Sequence, residues 1–358
     1  MSESAYYSAA RYIAALTYCM AKGQKKPQKP DAISWEDVLK VSAAHALSTV
    51  VFHSFDGVPP GISAEVYAEF ERIATVNFAK HVNQLAAYSE VSSALTEASV
   101  PHVFLKGFAL KSAWGNEQYR PMGDIDVYVS ENYVYKAADA LASAGYARGE
   151  DSYMHLELEK PPFIEIELHK HLLDEYDRPF DDFIRPSENS FEYKMSRHDE
   201  LSYVVGHAKK HYENGGCGIK NVLDIKLYYE KHKDEIDTEQ LNEALDGSDS
   251  REFYECVTKV CDSWIFGEEL TGDLAEMEGY VFSGGAYGSF KNRRIMRTKS
   301  DGKLKFVFSN LFPTYSDMVK KFPILKKHKY LLPFCYVARF IKALFNGNGK
   351  KFISGFKK

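Results

Sequence analysis

At 358 residues, with 45% hydrophobic and 27% charged residues, the chain has the balance of a globular protein and room for two or three packed units. Its net charge of −5 hides an asymmetry: 291–358 holds 18 Lys+Arg against Asp301 and Asp317 (+16), and the rest holds 27 basic against 48 acidic residues (−21). Five scattered cysteines (Cys19, Cys217, Cys256, Cys261, Cys335) exclude a disulfide-stapled miniprotein and complete no zinc site; they read as reduced thiols of a cytoplasmic protein.

The first element, MSESAYYSAARYIAALTYCMAKG, has no basic leader and is broken by polar residues, so it reads as a helix rather than a signal peptide. No window approaches the roughly 18 apolar residues of a membrane span. GQKKPQKP (23–30) and GVPPG (57–61) are loops between short helices. Residues 64–98 repeat apolar positions every three or four residues, with Ser63 as the N-cap of a long helix.

At residue 101 the period changes. PHVFLKG is a short strand ending in glycine, FALKSAWG a short helix, NEQYRPMG a loop, and DIDVYVS (124–130) a strand by alternation. Residues 131–144 form an amphipathic helix closed by Gly145, and YMHLELEK and FIEIELHK are two strands around a Pro-Pro turn. From 171 the chain turns helical again, most clearly over 198–212 and 220–232, with a loop near 284–294. The fold class is α+β: a mixed α/β core sheet flanked by helical regions. The expected divisions are a helical region at 1–98, the core at 99–195, a second helical region at 196–285 and a basic, aromatic-rich tail at 286–358, ending in a disordered-looking NGNGKKFISGFKK.

Asp124 and Asp126 stand two apart on a strand, so their carboxylates share a face at an exposed strand end. Two ionised carboxylates so close repel unless a cation lies between them, and Mg²⁺ accepts one or two protein carboxylates with substrate phosphates completing its shell. The plain alternative is an acidic, solvated strand end. Glu165 and Glu167 lie two apart on a second strand. If that strand pairs beside the first, one glutamate completes a three-carboxylate cluster able to hold metal and to take a nucleophile's proton. Lys106-Gly107 ends the preceding strand, where glycine lets backbone N–H groups approach a phosphate and the lysine neutralises charge. Arg120 offers a guanidinium fork for phosphate oxygens, or is simply a loop arginine. His207 and His211 are spaced i, i+4 on a helix, without the glutamate of a zincin pair; they and Lys210 line a nucleotide cleft or cap a core helix. Asp224, in an otherwise apolar segment, either anchors a helix or touches substrate.

Together, strand-Lys-Gly, helix, loop arginine and Gly-Asp-x-Asp resemble the polymerase-β-type nucleotidyltransferase superfamily. More closely, the chain resembles the bacterial "uncharacterised nucleotidyltransferase" family over about 95–235. The resemblance implies a glycine motif at Lys106 and Gly107, a loop arginine at Arg120, a metal pair at Asp124 and Asp126 and a third acid at Glu167, with His169 two residues on. It also places His207, Lys210, His211 and Asp224 in the family's H…KH…D segment. Departures are Phe108 after the glycine, 17 positions between Gly107 and Asp124, and glutamate as the third acid.

The resulting expectation is an enzyme that uses Mg²⁺ (or Mn²⁺) on Asp124, Asp126 and Glu167. Lys106, Gly107, Arg120, Lys210 and His211 would hold a nucleoside triphosphate, and the nucleotidyl group would pass to an unspecified small molecule, RNA or protein with release of pyrophosphate. Two rivals stand beside it: a phosphotransferase on a small molecule or peptide with the same fold, and a non-catalytic nucleotide- or RNA-binding module. The tail reads three ways: binding nucleic acid, lying on an anionic membrane surface, or packing on the acidic body.

Overall fold

A computed structural model describes residues 1–173, 182–187, 190–286, 288, 292 and 315–345. The chain divides into two compact units, 1–150 with 155–296, and 151–154 with 297–358.

In the first unit, four helices open the chain: α1 (Glu3–Ala21), α2 (Trp35–Ala44), α3 (Ser48–His53) and α4 (Ala64–Glu97). Ser63 caps α4 as its sequence requires, accepting from the Val66 amide. The sheet follows, with β1 (His102–Phe104), α5 (Gly107–Ser112), a 3₁₀ turn (Glu117–Tyr119), β2 (Ile125–Tyr128), α6 (Val134–Ser143), β3 (Ala147–Asp151), β4 (His155–Lys160), β5 (Ile164–His169) and β6 (Glu192–Tyr193). Among the described residues five longer helices follow in this unit: α7 (Arg197–Glu213), α8 (Ile219–His232), α9 (Thr238–Gly247), α10 (Arg251–Phe266) and α11 (Gly272–Gly284).

The sheet is mixed, in the order β3-β4-β5-β2-β1-β6. β4 and β5 form the expected antiparallel pair around Pro161-Pro162, and β5 runs parallel to β2 with Asp126 opposite Glu167. Alternation decides what each face carries. On one face Ile125 and Val127 of β2 and Ile164, Ile166 and Leu168 of β5 pack under Ala87, Val91 and Leu95 of α4 and Val134, Ala137 and Leu141 of α6. The intervening residues, Asp126, Glu167 and His169, therefore project to the other face. β3 and β6 escaped the sequence reading. Every residue of β3 is exposed and most are charged, a feature that blunts a sheet edge, and β6 is two residues long.

A second, larger core joins α1, α2 and α3 to α7, α8, α10 and α11. His45 sits in it, with Nε2 on the Phe282 carbonyl (3.2 Å) and Nδ1 accepting from the Ile219 amide (3.2 Å). That pattern needs a neutral ring, and burial pushes its pKa down from 6.5 to about 4. The unfolded chain takes up the proton near pH 6.5 while the folded chain resists it until about 4, so this stability is present above 6.5 and is lost as pH falls through that window. The loss is roughly 3 kcal/mol at full protonation. Unfolding measured from pH 7 to 4 is expected to show a slope shallower by about one proton in His45→Gln; parallel curves for the two proteins would refute the assignment.

In the second unit, helices Tyr315–Lys321 and Leu332–Phe345 flank two 3₁₀ turns, Pro323–Lys326 and Lys329–Leu331. Met318, Leu325 and Cys335 form its small core, while Tyr330, Phe334 and Val337 are exposed. The NGNGKKFISGFKK segment and most of 284–294 lie outside the described residues. Among the described residues, no helix is long and apolar enough to cross a membrane.

Candidate active site

The acidic residues gather where β2 lies beside β5. One carboxylate oxygen from each of Asp124, Asp126 and Glu167 falls within 4.8 Å of the others. Asp126 is only 3% exposed, so the strand end expected to be solvated is covered. The cover comes from partners: Lys106 Nζ stands 3.2 Å from Asp126 Oδ1, and His169 Nε2 donates to the same oxygen at 2.9 Å. Burial alone would raise Asp126, but Lys106 and His169 outweigh it and hold the carboxyl below the usual carboxylate range. Asp124 precedes the strand proper, and burial followed by repulsion from Asp126 raises its carboxyl. Glu167 is drawn below its ordinary value despite burial, chiefly by the His169 hydrogen bond. His169, opposed by burial but bonded to Asp126 and Glu167, is pushed up to about 9.

Lys106 occupies the turn between β1 and α5 with φ of +33°, a region that costs a non-glycine residue on the order of 1–3 kcal/mol. Its surroundings hold it there. The Leu105 amide donates to the Asp126 carbonyl, and the Lys106 ammonium also meets His207 Nε2 at 3.0 Å. At the next position a Cβ would fall 2.2 Å from Met122 Sδ, so any residue larger than glycine at 107 must displace the Met122 side chain. His207 Nε2 accepts from Lys106 and faces His211 Nε2 at 2.8 Å, one helical turn along α7. Burial, then Lys106, keeps His207 well below its ordinary pKa, as an acceptor between two donors must be.

Lys106, Gly107, Asp124, Asp126, His207 and His211 border a cleft of about 530 Å³. Its walls include Asn77 and Lys80 of α4, residues between Lys106 and Asp126 of the core, and His207, His211 and Lys220 of α7 and α8, with Ala43, Ala46, Ser48 and Ala286 beside them. Lys210 does not line it. Lys220 does, a residue the sequence reading passed over; burial, then the Arg120 charge, pushes it down to about 8. The expected phosphate-clamping arginine also lines the cleft but is committed elsewhere. Arg120 Nε and Nη2 donate to the Asp224 carboxylate at 2.6 and 2.9 Å, and Trp114 Nε1 donates to it at 2.9 Å. Asp224 is thus an anchor for Arg120.

A family model described as "Uncharacterised nucleotidyltransferase" matches residues 31–266, more than half of the chain. The chain belongs to that family. Among solved structures, this nucleotidyltransferase is similar to the antibiotic-resistance factor ANT(2'')-Ia at 13% identity, covering 48% of this chain and 94% of that one with a TM-score of 0.37. No curated protein matches the chain.

The match spans α2 to α10 and takes in every residue lining the cleft except Ala286. His155 was not singled out from the sequence. It stands opposite His169 across the β4–β5 ladder, with Nδ1 3.5 Å from Glu167 Oε2. The HLELE alternation was its signal: residues two apart on β4 share a face, here the acidic one.

Proposed function

We propose that this nucleotidyltransferase moves a nucleotidyl group from a nucleoside triphosphate to an acceptor oxygen, releasing pyrophosphate, with Mg²⁺ or Mn²⁺ held by Asp124, Asp126 and Glu167. The observation that carries the reading is the convergence of those three carboxylates within 4.8 Å beside a cleft edged with Lys106 and Lys220. An all-oxygen donor set suits a hard divalent cation, which would offset both the burial and, after it, the repulsion from Asp126 that raise the Asp124 carboxyl. When bound, the ion supplies charge neutralisation at the reacting phosphate and orients it.

The side chains do the remaining work. Lys106, Lys220 and Lys80 present ammonium groups to the polyphosphate, and Gly107 lets the backbone come close to it. The Arg120–Asp224 pair holds the loop before Asp124 against α8, fixing the acidic pair relative to the lysines. Glu167, kept ionised by His169, accepts the proton of the attacking hydroxyl. His207 keeps the Lys106 ammonium beside Asp126 until an anionic substrate draws it away. The acceptor is a hydroxyl-bearing small molecule, RNA or protein, and the cytoplasm is the compartment this chemistry fits.

Label position tests the reaction. With cell extract as the source of acceptor, each triphosphate is supplied labelled at the α- or the γ-phosphorus. The α-label is expected in an acceptor product and the γ-label in pyrophosphate, both abolished by EDTA and restored by Mg²⁺ or Mn²⁺. Transfer of the γ-label to the acceptor would replace this reading with a phosphotransferase.

A further inference from the structure

A second group of donors lies beside the three carboxylates and differs from them in kind. One ring nitrogen each of His155 and His169 and a carboxylate oxygen of Glu167 fall within 4.8 Å of one another. Strand register builds the group. His155 is paired with His169, and Glu157 with Glu167, across the β4–β5 ladder, so all four side chains rise from one face. His155 Nδ1 and His169 Nε2 converge on the same atom, Glu167 Oε2, at 3.5 and 3.2 Å.

One further observation points to a cation. The other ring nitrogen of His155, Nε2, stands 3.5 Å from Glu157 Oε1. A carboxylate behind an imidazole, with the opposite nitrogen turned to a shared centre, is how metal-binding histidines are oriented and made basic. Nε2 of His169 holds the proton it shares with Asp126 and Glu167, so a cation bound at that nitrogen displaces the proton to solvent.

We propose that His155, Glu167 and His169 form a second cation site, selective for a first-row transition ion such as Zn²⁺, Mn²⁺ or Co²⁺, which shares Glu167 with the carboxylate group. Imidazole nitrogens favour these ions, whereas Mg²⁺ prefers oxygen donors and keeps its water. An ion there holds Glu167 directly, and it sets which metals the protein carries whether or not nucleotidyl transfer occurs.

The probe is Co²⁺, titrated into the metal-free full-length chain and followed by visible absorption and equilibrium dialysis. In a large excess of Mg²⁺, which fills the carboxylate group, wild type is expected to retain one Co²⁺ with a visible band. His155→Ala should weaken that binding at least about tenfold and alter the band, and Glu157→Gln should weaken it about tenfold through loss of the backing carboxylate. His155→Asn, closer in shape, serves if the alanine variant does not give the wild-type circular dichroism spectrum. Asp124→Asn should leave the band unchanged. Wild-type affinity and spectrum in both His155 variants would overturn the site, as would a band that vanishes in Asp124→Asn, since the ion would then sit among the carboxylates. These readouts involve no substrate, so failure here and failure of the nucleotidyl-transfer reading are separately visible.

Discussion

Asp126→Asn is expected to lower nucleotidyl transfer at least about 100-fold while the protein stays folded. The side chain is buried, and its Oδ1 is shared by Lys106 Nζ at 3.2 Å and His169 Nε2 at 2.9 Å. Asparagine preserves the shape and one carbonyl oxygen, so both donors keep an acceptor. What it removes is a unit of negative charge from the centre of a three-carboxylate group. Because that charge matters most where phosphate charge is being moved, the loss should fall on kcat more than on KM. Steady-state kinetics with a circular dichroism melt of the same preparation checks this. Activity within tenfold of wild type, from a folded variant, would remove Asp126 from the reaction.

The second large effect is on stability. Asp224→Ala should destabilise the protein by about 3–5 kcal/mol, because it leaves a buried guanidinium without its counter-charge. Asp224 and Arg120 side chains are 4% and 5% exposed, and the carboxylate also accepts from Trp114 Nε1. Arg120 and Trp114 therefore lose an acceptor at once, and Lys220, 3.7 Å from Oδ2, loses a nearby counter-charge. Replacing the charges together, as Arg120→Met with Asp224→Leu, should recover much of the loss, since apolar groups leave no charge stranded. Denaturant midpoints at constant slope read both quantities. A loss below 1 kcal/mol for Asp224→Ala would mean that solvent reaches Arg120 more freely than its burial implies.

How much of this the sequence disclosed depended on the range of the forces involved. Local rules spoke clearly. The Ser63 cap, the alternation of β4 and β5 and the Gly145 stop are each written within a few residues of where they act. The Asp-x-Asp pair was visible for the same reason. The parallel register that sets Asp126 against Glu167 was a conditional guess, because nothing within either strand names its neighbour. Lys220 and His155 were missed because their importance comes from what packs beside them. Lys220 belongs to a helix whose local pattern marks only its buried face, and His155 gains meaning from a cross-strand partner fourteen positions away, His169. Arg120 was seen, but its pairing with Asp224 spans 104 residues of sequence and could not be.

One helix ties these distant parts together. α4 runs 34 residues, about 50 Å at 1.5 Å per residue, with Val66 and Phe70 seated in the helical core and Ala87, Val91 and Leu95 in the core of the sheet. Midway, Gln84 donates to the Met122 carbonyl, two residues before Asp124. The helix thus serves as a ruler between the acidic strand and the wall that carries Lys80. An insertion of one residue within it would rotate Gln84 and Lys80 by about 100° relative to their partners. Homologues free to vary their loops should therefore hold the length of this helix fixed.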